Sequence, residues 1–405
     1  MTDTRALTIT LTDIAHGGDA IGRDDGRVVF ARYGIPGETV EVKVLRQRRD
    51  YAQGRVTRVL DPSPHRTTPP CPYFGVCGGC QWQHIDYPHQ LELKRNILKD
   101  QLERIAKIAN PYVAPTLPSP DPWHYRNHAR FSVDRKGNLG FIQGGDYRHL
   151  EIAYCHLMHP EINTTLATLQ GKCRGTRQIT VRHGVETGDL LIQPSLDSLG
   201  IDIESGQDHY YDHLFGYRFK VSSPSFFQVN VRQAERMVGA LRDRIAPTGD
   251  EVLVDAYGGV GTFAILLAPF FSKVISIEEA PSAVEDARVN CAPFANIELL
   301  KGKTEEVLPE LPERPDTVIL DPPRVGCHER VLDALLEVYP RRLVYVSCDP
   351  ATLARDLGIL CRRGYTLKEV LPIDMFPQTY HIEAIATLEA DTSGAPPDIS
   401  GALNE

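Results

Sequence analysis

The alternation of apolar and polar residues changes its period along the chain. Between residues 5 and 60 it follows the two-residue period of half-buried strands, with Leu7-Thr8-Ile9-Thr10-Leu11 the clearest run. Val28-Val29-Phe30 follows an Asp24-Asp25-Gly26 turn, and Thr39-Val40-Glu41-Val42-Lys43-Val44 and Gly54-Arg55-Val56-Thr57-Arg58-Val59-Leu60 continue the series. Four or five such short strands predict a small barrel of OB-like type. Prolines from Pro62 to Pro70 then read as a linker. A helical period covers about 90–106, and a mixed α+β region with hairpin signals such as Asp134-Arg135-Lys136-Gly137-Asn138 runs from 123 to about 228.

After residue 250 the texture becomes strand and helix in alternation. Strands fit 251–255, 273–278, 296–300, 317–321, 343–347, 367–373 and 382–388, with helices in the gaps between the first six. This predicts a doubly wound, Rossmann-like α/β sheet. The last gap holds no helix, so the final strand is expected to return antiparallel. The expected domains are a barrel at 1–62, a central domain at 63–228 whose helix at 90–106 packs on the next unit, an α/β domain at 229–390, and a disordered polar tail at 391–405.

Composition adds limits. Hydrophobic content of 42% and charged content of 24% suit several globular domains in 405 residues. No apolar window approaches the roughly 20 residues of a membrane span, and no secretory pattern opens the chain. A cytoplasmic protein with neither a membrane nor an obligate protein partner is expected. The net charge of −9 argues against a nucleic-acid partner, but Lys43, Arg46, Arg48, Arg49, Arg55 and Arg58 share their stretch with one acid, Asp50. That run is either an RNA-facing surface or a solvated charged edge. Nine cysteines, an odd number without a secretion signal, point to metal binding or catalysis rather than disulfides.

The candidate chemistry lies at strand ends. The first α/β strand runs into Asp255-Ala256-Tyr257-Gly258-Gly259-Val260-Gly261-Thr262, a turn that lets backbone approach a ligand, and the second ends in Glu278, suited to ribose hydroxyls. That turn alone also fits a dinucleotide or a purely structural bend. The fourth strand leads into Asp321-Pro322-Pro323-Arg324-Val325-Gly326-Cys327. Uracil C5 becomes nucleophilic only after a thiolate adds at C6, and a base must later remove the C5 proton. A cysteine beside a methyl donor meets the first need. Elsewhere, Cys71, Cys77 and Cys80 cluster in Cys-Pro-Tyr-Phe-Gly-Val-Cys-Gly-Gly-Cys, with Cys155 as a fourth candidate, and the spacing leaves zinc and an iron–sulfur cluster equally open.

At these motifs the sequence closely resembles the RNA uracil-5-methyltransferase family. The resemblance also covers Ser225-Phe226-Phe227-Gln228-Val229-Asn230, Ser347-Cys348-Asp349-Pro350 and His381-Ile382-Glu383, and the N-terminal barrel resembles a TRAM domain. It implies that Gln228, Tyr257, Thr262, Glu278 and Asp321 contact S-adenosylmethionine, that Cys327 is the nucleophile, and that Glu383 is the base. It also implies a [4Fe–4S] cluster on Cys71, Cys77, Cys80 and Cys155. The combination of barrel and cluster resembles the branch acting on 23S rRNA, with a tRNA T-loop enzyme as the alternative. The sequence departs from the family pattern at Gly258 or Gly259, where a Cys is common, at Asp349, where Asn is, and near Thr262 or Lys303, where a neutral Asn is. An amino-methyltransferase would not need Cys327, and a non-catalytic iron–sulfur RNA-binding protein would not need the cofactor crevice.

Overall fold

The computed structural model describes residues 6–145 and 147–391; the tail expected to be disordered lies almost wholly outside them. Strands β1 (Ala6–Ile14), β2 (Ala20–Asp24), β3 (Arg27–Arg32), β4 (Thr39–Gln47) and β5 (Tyr51–Asp61) close into a barrel in the order β1-β2-β3-β5-β4. Leu7, Ile9 and Leu11 point inward onto Val29, Val40 and Val42, while Thr8 and Thr10 between them face out. The proline-rich stretch that follows is not a free linker. Arg66 forks onto the fully buried Glu38 at 2.5 and 2.6 Å and donates to the Tyr33 carbonyl at 2.9 Å, which staples the segment to the barrel.

Helix α1 (Tyr87–Gln101) starts at Asp86, whose side chain accepts from the His89 N–H, and its last turns widen into a π-helix at Leu102–Ala106. Leu98, Leu102 and Ala106 share a core with the α/β sheet. Strands β6 (His128–Val133), β7 (Leu139–Ile142), β8 (His149–Glu151), β9 (Gln178–His183) and β10 (Leu190–Gln193) form an antiparallel sheet, backed by α2 (Pro160–Leu169) through Phe131, Ile162, Leu166 and Ile179. The hairpin of β11 (His209–Leu214) and β12 (Tyr217–Ser222) buries Phe219 and Val221 in the same core as the next helix.

That helix, α3 (Val231–Ile245), leads into β13 (Val252–Ala256), α4 (Thr262–Leu267), β14 (Lys273–Glu278), α5 (Pro281–Cys291) and β15 (Ile297–Lys301). There follow α6 (Thr304–Val307), β16 (Thr317–Leu320), α7 (Glu329–Val338), β17 (Arg342–Ser347), α8 (Pro350–Arg362), β18 (Tyr365–Ile373) and β19 (Glu383–Ala390). The strands lie in the order β15-β14-β13-β16-β17-β19-β18, with β19 antiparallel to both neighbours. The expected antiparallel return is present, inserted between β17 and β18. Both faces of the sheet are covered, so β16 is buried at every position.

One small core ties the barrel to the α1 region and to the start of β19. Ile14 and Ile35 of the barrel region, Trp82, Ile85, Leu93 and Ile97 of the α1 region, and Ile382 beside β19 pack as one cluster. The Trp82 indole donates to the Gly18 carbonyl at 3.1 Å, and the β1–β2 turn rests on Tyr380 so closely that a Cβ on Gly18 would sit 2.6 Å from the Tyr380 Cβ. No helix among the described residues is long and apolar enough to cross a membrane.

Candidate active site

The parallel strands aim their C-terminal ends at one crevice, the usual ligand position of such sheets. After β13 the chain turns through Tyr257, Gly259 and Gly261 with φ of 70°, 56° and 90°. A side chain at Gly258 would collide with Ser276 Oγ at 2.0 Å. The turn is tied to the neighbouring strand: the Gly258 N–H donates to the Ile277 carbonyl, and the Gly259 N–H donates to Glu278 Oε2, both at 2.9 Å. Glu278 Oε1 accepts from Ala280 N–H at 2.7 Å, so its carboxylate is fixed at the strand end. Beneath the turn, Asp255 is fully buried and accepts from Ala264 N–H at 2.9 Å. Burial pushes its carboxyl up to about 8.

A cavity of about 720 Å³ opens here, lined by Tyr257, Glu278, Lys303, Pro323, Cys327 and Asp356 among others. Of the five residues expected at the cofactor, Tyr257 and Glu278 line it; Gln228, Thr262 and Asp321 do not. Thr262 opens α4, Gln228 precedes α3 with its carbonyl 3.3 Å from Asn127 Nδ2, and Asp321 lies at the end of β16. Burial pushes the Asp321 carboxyl up to about 7.

Cys327 is 4% exposed. Its N–H meets Asp356 Oδ2 at 2.9 Å and the Tyr345 hydroxyl at 3.2 Å. Arg355 Nη2 donates to the carbonyls of Val325 at 3.0 Å and Cys327 at 3.2 Å. Gly326, at φ 76°, leaves a Cβ only 2.6 Å from Arg355 Nη2, so the loop passes where no side chain fits. Burial pushes the thiol up to about 12, opposed chiefly by hydrogen bonding to the Tyr345 hydroxyl and also by Tyr257. Glu383 opens β19 opposite Ile373 and is 8% exposed. Burial pushes its carboxyl up to about 8; Asp321 adds to the rise and Arg324 opposes it. Asp321 and Arg324 act on both Cys348 and Glu383, Asp321 raising and Arg324 lowering each group. Sequence reading did not find Tyr345, Arg355 and Asp356.

The four remaining candidate cysteines also meet. Cys71, Cys77, Cys80 and Cys155 line one cavity of about 690 Å³, which also touches Arg126 and His381. Asn163 braces Cys155 from both sides, accepting from its N–H at 2.8 Å and donating to its carbonyl at 3.0 Å. Burial raises the thiols of Cys77 and Cys80 and pushes that of Cys155 up to about 11. Among the described residues, no group of three or more His, Cys, Asp or Glu side chains is arranged to hold a metal ion.

Comparison with known proteins adds to this geometry. The tRNA (uracil-5-)-methyltransferase family model matches residues 209–314 and 313–391, and the TRAM domain model matches residues 4–57. An uncharacterized RNA methyltransferase of Thermosynechococcus vestitus is 36% identical, covering 94% of this chain and 97% of its own. Another, of Halalkalibacterium halodurans, is 34% identical, covering 95% and 96%. The chain belongs to the RNA uracil-5-methyltransferase family. Among solved structures, the Pyrococcus abyssi tRNA (uracil-54, C5)-methyltransferase in complex with S-adenosyl-L-homocysteine superposes with a TM-score of 0.74 at 26% identity, covering 94% of this chain and 99% of that one.

The TRAM barrel of this RNA uracil-5-methyltransferase carries the basic run on two adjacent strands. Lys43 faces Arg55 across the β4–β5 ladder, and Arg46, Arg48 and Arg49 are exposed toward the connecting turn. Arg58 reaches Glu41 at 3.9 Å, while Arg55 lies over the Tyr33 ring at 5.1 Å.

Proposed function

We propose that the protein methylates C5 of a uridine in RNA, using Cys327 as nucleophile and Glu383 as base. The observation that supports this reading is a buried thiol, Cys327, on the loop after β16, its N–H held by Asp356 and Tyr345 in the cavity that Tyr257 and Glu278 also line. S-adenosylmethionine, when bound, supplies the methyl group and leaves as S-adenosylhomocysteine. The turn at Tyr257 and the Glu278 carboxylate hold its nucleoside, with Gln228, Thr262 and Asp321 as further contacts. The Cys327 thiol gives up its proton to water, the thiolate Sγ bonds to C6 of the uracil, and the electrons of the C5=C6 bond move toward O4. C5 then takes the methyl group. Glu383 removes the C5 proton, the C–H pair restores C5=C6, and the C6–S bond breaks to return the thiolate. A uridine must leave its stack to reach this depth.

The all-sulfur donor set of Cys71, Cys77, Cys80 and Cys155 fits a [4Fe–4S] cluster. The four cysteines share the lining of one cavity, and their thiolates are the residues that would hold such a cluster. Its place beside the RNA-facing barrel suits a structural or strand-holding role.

The proposed target is 23S rRNA, because a TRAM barrel together with a four-cysteine site resembles the branch of the family that acts on that RNA. A second reading, tRNA, is favoured by the structural likeness to the Pyrococcus abyssi enzyme. Offering unmodified 23S rRNA and tRNA with labelled methyl donor decides between them: preferential methylation of tRNA overturns the ribosomal target. Cys327→Ala should abolish transfer to both, and Glu383→Gln should accumulate protein joined to methylated RNA on denaturing gels. Near-normal turnover by Cys327→Ala would overturn the mechanism.

A further inference from the structure

The segment that delivers Glu383 is a buried loop. Residues 374–382 connect β18 to β19, and Asp374, Met375, Gln378, Thr379 and Ile382 are each at most 5% exposed. Loops normally lie on the surface because buried backbone must find hydrogen-bond partners. Here the partners come from outside the sheet. The Asp374 N–H donates to the Leu117 carbonyl at 3.0 Å. The Met375 carbonyl accepts from Asn230 Nδ2 at 3.2 Å, the Phe376 carbonyl from Lys94 Nζ at 3.1 Å, and the Pro377 carbonyl from the Tyr125 hydroxyl at 3.1 Å. The Gln378 carbonyl accepts from the N–H groups of Gln81 at 3.2 Å and Trp82 at 3.1 Å.

Two side chains of α1 complete the set. Gln90 exchanges both ends with Gln378: Gln90 Nε2 donates to Gln378 Oε1 at 3.0 Å, and Gln90 Oε1 accepts from the Gln378 N–H at 3.1 Å. Lys94 and Asp374, both fully buried, form an ion pair at 2.6 Å. Gln378 itself sits at φ 69°, a left-handed conformation that costs a non-glycine residue about 1–3 kcal/mol and persists where surroundings over-determine it. The nine-residue connection between β18 and β19 could close with ordinary surface residues; nothing in sheet geometry alone requires glutamine, lysine and aspartate buried together there.

From this we infer that Gln90, Lys94 and Tyr125 are positioning residues for Glu383. They fix the loop whose last bond places the carboxyl, so the helix that follows the thiol-rich segment sets the aim of the base. The inference rests on the reading of Glu383 as the base. Its effect is specific to one step, because Cys327 is held separately by Tyr345, Arg355 and Asp356. A loosened loop should therefore leave attack and methyl transfer intact and slow the loss of the C5 proton.

The test uses full-length protein with unmodified 23S rRNA and tRNA transcripts, and with the same transcripts containing 5-fluorouridine. Fluorine at C5 cannot leave as a proton does, so capture of the fluorinated RNA reports attack and methyl transfer alone. Decay of the covalent adduct on ordinary RNA reports the base. Two variants are compared with wild type: Gln90→Met, and the double variant Lys94→Met with Asp374→Leu, since replacing both partners of a buried pair by apolar residues is often neutral for stability. Each should capture fluorinated RNA at the wild-type rate, while its adduct on ordinary RNA lives about ten- to hundredfold longer, the scale expected of a small misplacement. Wild-type adduct decay in both folded variants overturns the inference, as does capture slowed as much as decay. Should melting curves show either variant unfolded, Tyr125→Phe, which deletes only the hydroxyl on Pro377, carries the same two readouts. If Glu383→Gln shows no long-lived adduct, the base assignment falls and the clamp with it. If wild type fails to capture fluorinated RNA, the Cys327 mechanism falls instead.

Discussion

The Tyr345 hydroxyl donates to Asp356 Oδ2 at 2.7 Å, and that same oxygen receives the N–H of Cys327 at 2.9 Å. A tyrosine from β17 and an aspartate from α8 thus hold the backbone of Cys327, although neither adjoins it in sequence. Asp356→Ala would remove the acceptor these two donors share, leaving the Cys327 N–H only its 3.2 Å contact with the Tyr345 hydroxyl. It should cost about 1–3 kcal/mol of stability and reduce single-turnover methyl transfer in protein that remains folded. Tyr345→Phe should keep the fold and show a smaller loss. Melting curves paired with single-turnover rates check this; a wild-type rate in Asp356→Ala would mean that the loop needs no such support.

The pH dependence of adduct breakdown follows from Glu383. Its folded carboxyl is pushed up to about 8 by burial and then by Asp321. The base works only as a carboxylate, so breakdown should rise about tenfold per pH unit below 8 and level off above it. Stability should move the other way. A carboxyl with a raised folded pKa binds its proton more tightly folded than unfolded, so its contribution is present below the unfolded value near 4.5 and is lost as pH climbs through about 8. Adduct decay and melting temperature measured across this range check both signs, and a flat decay profile would remove Glu383 from the step.

Protein purified without oxygen should be brown and contain iron and sulfide in equal amounts, with four of each per chain for a [4Fe–4S] cluster. Replacing Cys80 or Cys155 with Ala should remove the colour. Stoichiometric zinc without sulfide would assign the four thiols to a zinc site.

The exposed arginines between β4 and β5 should give RNA binding a steep salt dependence. Each lost phosphate contact lowers the log–log slope by about 0.7 to 0.9. Replacing Arg46, Arg48 and Arg49 together with Ala should weaken binding and flatten the slope by up to about two to three, with affinity for S-adenosylmethionine unchanged. Filter binding across a salt series measures it; an unchanged slope would place the RNA elsewhere.

Periodicity made the barrel and the seven-stranded sheet legible. Alternation in 7–11 and 39–44 marks the barrel because every second residue there is buried, and the apolar runs after 250 match strands buried on both faces. The loop that carries Cys327 was legible because a cysteine after Asp-Pro-Pro is a rare string, and the structure sets that cysteine in the wall of the crevice. Its support was not. Tyr345 reads as one more apolar position of a core strand, and Asp356 as a solvated helix residue, because only the packing of α8 beneath the 321–327 loop gives them their role. Gln90 and Lys94 were hidden for a similar reason. On an amphipathic helix they count as polar-face residues, yet they are buried because a polar loop is pressed against them. The proline-rich segment misled in the opposite direction: prolines mark an extended chain, but the fork of Arg66 on Glu38 is a tertiary contact with no local signature.

The seating of Gly18 on Tyr380 and beneath the Trp82 indole gives the barrel no tether along which to wander. A flexibly linked binding module raises the local concentration of its target over a whole sphere of positions. A rigidly seated one offers a single vector. An RNA strand held on β4 and β5 would then reach the crevice at a fixed offset, with the barrel as a ruler. Which uridine reacts would become a question of how far it lies, along a folded RNA, from the phosphates the barrel holds.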